Sequence, residues 1–385
     1  MEKISNGLRL NKSILLIEAS NIGGEGGAIT HLREFLKQAD FENQGVLQVL
    51  ICTSQPVYDK VKNDRTVIQY LNHKWLNGGY LKRLLWQIFI LPDILKKYQP
   101  LLFIPGTGYP KRKYPFVTMF RNLLPVDTHE MDRYRYSFTW LRYKILRQTY
   151  FTSFRRANGL ICMNEYIFNE IPLPIKEAIR SHAIIPHGLS EIFKLKPKTE
   201  YRIQGKIRLL YVSRINLYKH QWVVAETALK LKNMGYDVEL KLVGSQKGFG
   251  QERLETVCNN YNDKGEVVKF IEEVSQDNLV QYYHDADIFI FASTCETFGM
   301  ILLEAMGAGL PIISSDKSSM KTLLKDKGLY FDVENIDSLI QNLKSLIASE
   351  ELREKFGQQA HQEALKYNWK DTSSKTLAYI IKVLH

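Results

Sequence analysis

Two glutamates, Glu296 and Glu304, stand eight residues apart in ASTCETFGMILLEAMGAGLPIISSD, residues 292–316. If a helix opens near Phe298 and Gly299, Glu296 lies in the loop before it and Glu304 lies inside it. Eight residues at about 1.5 Å rise span ~12 Å, and eight steps of about 100° return Glu304 to nearly the same side. Carboxylate pairs of glycosidases sit ~5 to 9.5 Å apart, so this pair does not fit hydrolysis. It fits the two ends of a nucleotide sugar, with one Glu at the hexose and the other at the ribose. Between them, N–H groups at the helix mouth can take a phosphate. The plainer alternative is a Glu favoured near a helix N-terminus and a second, exposed Glu on the surface.

Two cations extend this picture. YVSRINLYKHQW places Arg214 at a strand end and Lys219 five residues later, ahead of a helix. An Arg fork and a Lys point charge suit a diphosphate, although an isolated basic pair is also an ordinary solvated loop. Near the N-terminus, NIGGEGGAITH carries glycines at 23, 24, 26 and 27 without the strict G-x-G-x-x-G spacing. No acidic residue is clearly placed about twenty residues on to hold a ribose, which disfavours a nicotinamide oxidoreductase. Gly23 and Gly24 can still let backbone N–H groups approach an anion, or simply serve a βα turn that needs positive φ.

The elements that must position these residues read as two α/β halves. SILLIEAS, the glycine loop and AITHLREFLKQA form a strand, loop and helix, the first unit of a doubly wound domain. GVLQVLICTS, LLFIPGTG, FVTMFRN, RANGLICMN and HAIIPHG continue the half. The polar LSEIFKLKPKTEYRIQGK reads as a linker. The pattern then restarts with IRLLYVSRI, WVVAETALKLKNMG, DVELKLVGS, EVVKFIEEV, ADIFIFAS, GMILLEAMGAG and LPIISSD. The expected organisation is an N-terminal Rossmann-like domain over 1–190, a linker over 191–206, a second Rossmann-like domain over 207–365, and a final helix over 366–385 returning to the first domain. Two such domains facing a central cleft would bind ligands at the carboxyl ends of their strands.

Bulk properties agree with 385 residues in two domains of about 150–200. The net charge of +11 lies entirely in the first half: Lys and Arg outnumber Asp and Glu 26 to 15 through residue 190, and balance at 26 to 26 after it. The basic half suits an anionic partner, membrane or nucleic acid. Four dispersed cysteines without C-x-x-C suggest a reducing compartment and no structural zinc. No signal peptide is apparent, and LLWQIFILPDIL, twelve residues interrupted by Gln87, Pro92 and Asp93, is too short to span a bilayer.

The stretch ETFGMILLEAMGAGLPII, with its E-x7-E spacing, resembles the signature of the family-4 retaining glycosyltransferases, which have the GT-B fold of two Rossmann-like domains. GGEGGAITHLREF, AIIPHGL, YVSRINLYKH, LKLVGS, VKFIEEVSQDNLVQYYHDADIFIFAS and YNW resemble other family segments in order and spacing, across nearly the whole chain. The resemblance implies that Arg214 and Lys219 neutralise the donor diphosphate and that Glu296 touches the donor sugar. It also implies that amides of Phe298, Gly299, Met300 and Ile301 meet sugar hydroxyls or the β-phosphate, and that Glu304 holds the ribose. The base would rest near residues 272–274, at Val274, and Gly23 and Gly24 would face the phosphates or the acceptor.

Many relatives carry His-Asp after the fourth strand, where this chain has Arg121 and Asn122. Arg121, Asn122 and the nearby His129 are therefore candidate sugar or acceptor contacts. The family implies retention of configuration and no bound metal or other cofactor. DAD (Asp285 and Asp287) reads as a helix-end turn rather than a metal site. Residues 131–156 hold seven Lys/Arg, one Asp and eight aromatics, as an interfacial helix on an anionic membrane would. The same composition suits single-stranded nucleic acid or a helix with its aromatics in the core. The expected protein is a cytoplasmic enzyme, peripheral on the inner membrane face. It would extend a glycan or lipid-linked saccharide in surface polysaccharide, lipopolysaccharide or glycolipid synthesis, with no nucleic-acid partner. Its rival is a non-catalytic basic module that binds membrane or nucleic acid.

Overall fold

Short runs with apolar side chains at every position, such as residues 15–17 and 101–104, are what parallel strands covered on both faces require. The computed structural model, which describes residues 10–23, 26–106, 108–110, 113–194 and 197–385, buries these runs completely or nearly so. Contacts divide the chain into two units.

The first unit comprises Met1–Val126, Tyr134–Gly188 and Trp369–His385. Its strands are β1 (Asn11–Glu18), β2 (Gln48–Cys52), β3 (Ile68–Leu71), β4 (Pro100–Ile104), β5 (Val117–Met119), β6 (Gly159–Cys162) and β7 (His182–Ile184). They form one sheet in the order β3-β2-β1-β4-β5-β6-β7, with every pair parallel. β1 feeds the glycine loop, and the following helix, Gly27–Gln38, buries Ile29, Leu32, Phe35 and Leu36. That is the expected helical spacing. The last helix, Trp369–Leu384, packs against Gly27–Gln38 and strands β4 to β6. At Gly159 a side chain would meet the Tyr379 hydroxyl at 2.8 Å, so the glycine makes room for that helix.

The second unit comprises Asp127–Arg133 and Leu189–Asn368. Its strands are β8 (Ile207–Val212), β9 (Val238–Val243), β10 (Val268–Ile271), β11 (Ile288–Phe291), β12 (Ile312–Ser315) and β13 (Leu329–Phe331). The order is β10-β9-β8-β11-β12-β13, all parallel. The strand order reverses between β8 and β11, and ligands of doubly wound sheets bind outside the carboxyl ends at such a switch point. The short segment 127–133, far from the rest of this unit in sequence, is held to it by Arg133, whose guanidinium reaches Glu334 at 3.8 Å. Asp287 is spent on structure, accepting the Arg208 N–H at 2.9 Å between helix Gln276–Asp285 and β11. Among the described residues no helix is long and apolar enough to cross a membrane.

Candidate functional site

Arg214 and Lys219 follow β8 and Glu296 follows β11, the two strands at the switch point, while Val274 follows the edge strand β10. After β8 the chain runs through Ser213 and Arg214 in a loop fixed by its neighbour. A Cβ on Gly244 would lie 2.5 Å from the Ser213 carbonyl oxygen, and one on Gly248 1.9 Å from that of Ile215. Backbone therefore packs on backbone. Gln221 clamps the same turn, donating to the Ser213 hydroxyl at 2.7 Å and the Arg214 carbonyl at 2.8 Å. Arg214 itself is exposed at the strand end.

A short 3₁₀ turn, Leu217–Lys219, follows and is stopped by His220 in the left-handed region at φ 48°. Lys219 is buried, with its ammonium 5.2 Å from the Phe291 ring centre and 5.3 Å from that of Tyr218. The Tyr211 hydroxyl holds its carbonyl at 2.5 Å. The ammonium forms an ion pair with Glu296 Oε1. His220 Nε2 lies 3.2 Å from the Thr294 hydroxyl. Burial, helped by Arg133 and Arg253, pushes this imidazole down to about 3, so it is neutral at pH 7.

Glu296 comes from the loop after β11. Its Oε1 also accepts the Ser293 hydroxyl at 2.7 Å. Its backbone is held as firmly: Ser318 Oγ accepts the Glu296 N–H at 2.8 Å and donates to the carbonyl at 2.8 Å, and Ser319 adds a bond at 3.1 Å. Phe298 is buried, its ring 5.8 Å from that of Tyr367. Gly299 then turns the chain at φ 89° into helix Met300–Gly307. A side chain there would be strained, and its Cβ would meet Met320 Cε at 3.0 Å. Among the described residues the N-cap of this helix, Gly299, brings no side-chain hydrogen bond and its first turn holds no acid, and the first N–H groups of such a helix are a ready site for an anion.

One turn into the helix Glu304 is buried, not the surface residue that its type alone suggests. Its Oε2 accepts the Tyr283 hydroxyl at 3.1 Å. Burial raises its carboxyl to about 7, the Tyr283 bond offsetting part of the effect. Val274 is half-buried ahead of Ser275, which caps helix Gln276–Asp285. Among the described residues no group of three or more His, Cys, Asp or Glu forms a metal-ligating cluster.

The remaining candidates lie elsewhere. Gly23 is exposed in the first unit, and Gly24 falls outside the described residues. Arg121 belongs to a buried group: its guanidinium donates to the Gly27 carbonyl at 3.0 Å and the Pro105 carbonyl at 3.3 Å, and lies 3.5 Å from His31 Nδ1. It thereby ties the start of helix Gly27–Gln38 to the end of β4. Asn122 is exposed and accepts the Leu124 N–H at 3.1 Å. His129 is exposed on the 127–133 segment of the second unit, 3.5 Å from Glu130.

Ser293, Ser318 and Tyr283 were not anticipated. Their hydroxyls carry no spacing signal, and Tyr283 reaches Glu304 only through the packing of two helices.

The family model described as "Glycosyl transferases group 1" matches residues 194–363. A sulfoquinovosyl transferase of Arabidopsis thaliana is 24% identical over 74% of this chain and 55% of its own. The chain spans about half the length of the curated relatives it matches. Among solved structures, sucrose-phosphate synthase from Thermosynechococcus elongatus superposes with a TM-score of 0.73 at 16% identity, covering 97% of this chain and 98% of that one. An Anabaena protein solved with UDP and glucose gives 0.68 at 15% identity, covering 97% and 100%. Over residues 194–363, within its second unit, the chain is similar to the group 1 glycosyl transferases, and its two parallel-sheet units are those of the GT-B fold.

Proposed function

We propose that this protein transfers a hexosyl-type sugar from a nucleoside-diphosphate sugar to a glycan or lipid-linked saccharide, with retention of configuration and without a metal. One observation carries the reading. Lys219 pairs with Glu296 where the second sheet reverses its strand order, Arg214 is exposed at the end of β8, and the start of helix Met300–Gly307 lies in the chain between Glu296 and the buried Glu304. A similar Anabaena protein, solved with UDP and glucose, supports such a donor.

Transfer breaks the bond between the anomeric carbon and the phosphate oxygen, and its electron pair leaves with the diphosphate. Arg214 and Lys219 stabilise that growing negative charge, which is where preorganised charge accelerates a reaction most. The acceptor hydroxyl attacks the same face of the sugar and gives its proton to the departing phosphate oxygen, so no protein nucleophile is needed. Glu296, held by Ser293 and two backbone-binding serines, orients the sugar. Glu304 accepts from the ribose.

Thermal-shift titration with UDP-, GDP- and ADP-sugars tests the donor, followed by NMR of the product's anomeric proton. A midpoint rise with one nucleotide family and an anomeric configuration matching the donor are expected. No shift with any donor would overturn the reading.

A further inference from the structure

The helix Phe138–Arg156 buries only Tyr150, Phe151, Ser153 and Phe154, all in its second half. Its first three turns bury no side chain fully. Phe138, Leu141 and Ile145 are all exposed there, Phe138 by 83%. The spacing i, i+3, i+7 puts the three on one stripe, while Arg142 and Lys144 lie to either side of it. Tyr136, just before the helix, is 88% exposed with the Arg135 guanidinium 5.2 Å from its ring centre. Lys144 lies 3.6 Å from the ring centre of Trp140. From Arg133 through Asn164 the chain has no Asp or Glu.

A second helix, Tyr80–Phe89, also shows apolar residues to solvent. Leu81 is 68% exposed and Phe89 is exposed one helical face further along, while the opposite face buries Trp86. One loop joins the two helices. A Cβ on Gly108 would lie 3.5 Å from Gln87 of the second helix, and the Gly108 carbonyl accepts the Ser153 hydroxyl of the first at 2.8 Å. The Arg156 guanidinium stacks over Tyr109 at 4.6 Å. The loop thus touches the buried side of the second helix at Gln87 and the buried half of the first at Ser153.

We propose that the exposed stripe of helix Phe138–Arg156 docks on an anionic lipid bilayer, inserting Phe138, Leu141 and Ile145 among the headgroups while the flanking cations pair with lipid phosphate. Charge decides the occupant. Self-association through this face would set cation against cation with no acid between residues 133 and 164 to relieve it. Single-stranded nucleic acid binds by stacking on rings; Phe138 is the one ring on this stripe, and the other two tips, Leu141 and Ile145, are aliphatic. An interfacial helix needs just this pairing of aliphatic tip and basic flank. The proposal goes beyond sugar transfer and does not depend on it.

Co-sedimentation with vesicles of phosphatidylcholine alone, and of phosphatidylcholine mixed with phosphatidylglycerol, tests the surface. The intact protein is expected on the anionic vesicles at low salt and to leave them as salt rises. The triple variant Phe138→Ser, Leu141→Ser, Ile145→Ser should lose about tenfold or more in partitioning, since each buried apolar group contributes to the anchor. Arg142→Gln with Lys144→Gln should weaken binding and flatten its salt dependence. Circular dichroism and donor affinity should stay unchanged in both, because none of these residues belongs to the donor site. Equal binding to neutral vesicles, or full anionic binding by the triple variant, would overturn the proposal. So would a dimer, seen by light scattering, that the triple variant abolishes, or tight single-stranded DNA binding that competes with vesicles.

Discussion

The Lys219 ammonium and the Glu296 carboxylate, from loops 77 residues apart, form an ion pair across the point where the second sheet reverses its strand order. The lysine is buried and the glutamate nearly so. Each therefore depends on the other for neutralisation before any donor arrives.

This coupling predicts a non-additive mutant pair. Glu296→Gln and Lys219→Met should each lower stability by roughly 1–3 kcal/mol, because each strands a desolvated charge. The double variant should lose clearly less than the sum. Urea denaturation of the four proteins reads the coupling directly, and strict additivity would show that the pair is not a unit.

Activity separates the roles. Glu296→Ala and Arg214→Ala should each reduce kcat about 10²–10³-fold, the usual effect of removing a charge-stabilising or sugar-orienting group. The far-ultraviolet circular dichroism spectrum should be unchanged. Wild-type turnover in either variant, with a saturating donor, would refute the assigned site. Activity should also survive EDTA, since Arg214 and Lys219 bring the positive charge that a metal would otherwise supply.

Glu304 should make donor binding depend on pH. Its carboxyl is raised from 4.5 to about 7 by burial. Raised this way, it contributes stability that is fully present below its unfolded value and lost as pH rises through 7, a swing on the order of 3 kcal/mol. A ribose hydroxyl donating to Glu304 favours the ionised form, so donor binding should release a proton and tighten as pH rises from about 5 to 8. Calorimetry in buffers of different ionisation enthalpy measures that proton. Glu304→Gln should bind donor about tenfold more weakly with the proton release gone.

His220 acts in the opposite direction. Burial lowers its imidazole to about 3, so its contribution is present above the unfolded value near 6.5 and lost as pH falls toward 3. His220→Asn keeps a residue tolerant of the left-handed backbone and should make the second unit less acid-labile. The readout is the fall in urea midpoint between pH 7 and pH 5, which should shrink in the variant.

Much of this was legible in the residues. Apolar runs ending in polar or glycine turns reveal nine of the strands, with β6 and β7 inside segments given no element type, and the E-x7-E stretch lies in the loop and helix expected of it. The edge strands β3, IQYL, and β13, LYF, escape notice because three or four residues, of which only Phe331 is buried, carry no clear run. The burial of Glu304 was invisible, since residue type favours the surface and only the packing of Tyr283 against helix Met300–Gly307 encloses it. The contact between Lys219 and Glu296 depends on which strands are neighbours, and sequence separation hides that. Arg121 marks the reverse case: a cation suggestive of an anionic ligand donates to main-chain carbonyls.

The final helix has a consequence for synthesis on the ribosome. Trp369 packs with His31 and His187, its neighbour Thr372 bonds the Pro186 carbonyl at 2.9 Å, and Tyr379 fills the space left by Gly159. The first unit therefore completes its packing only after residues 369–384 have been translated, long after its seven strands have emerged. The second unit, whose sheet is continuous in sequence, can close while the earlier one still lacks its covering helix. Released chains truncated before residue 369 should accordingly protect the second sheet from protease and leave the first open to chaperones.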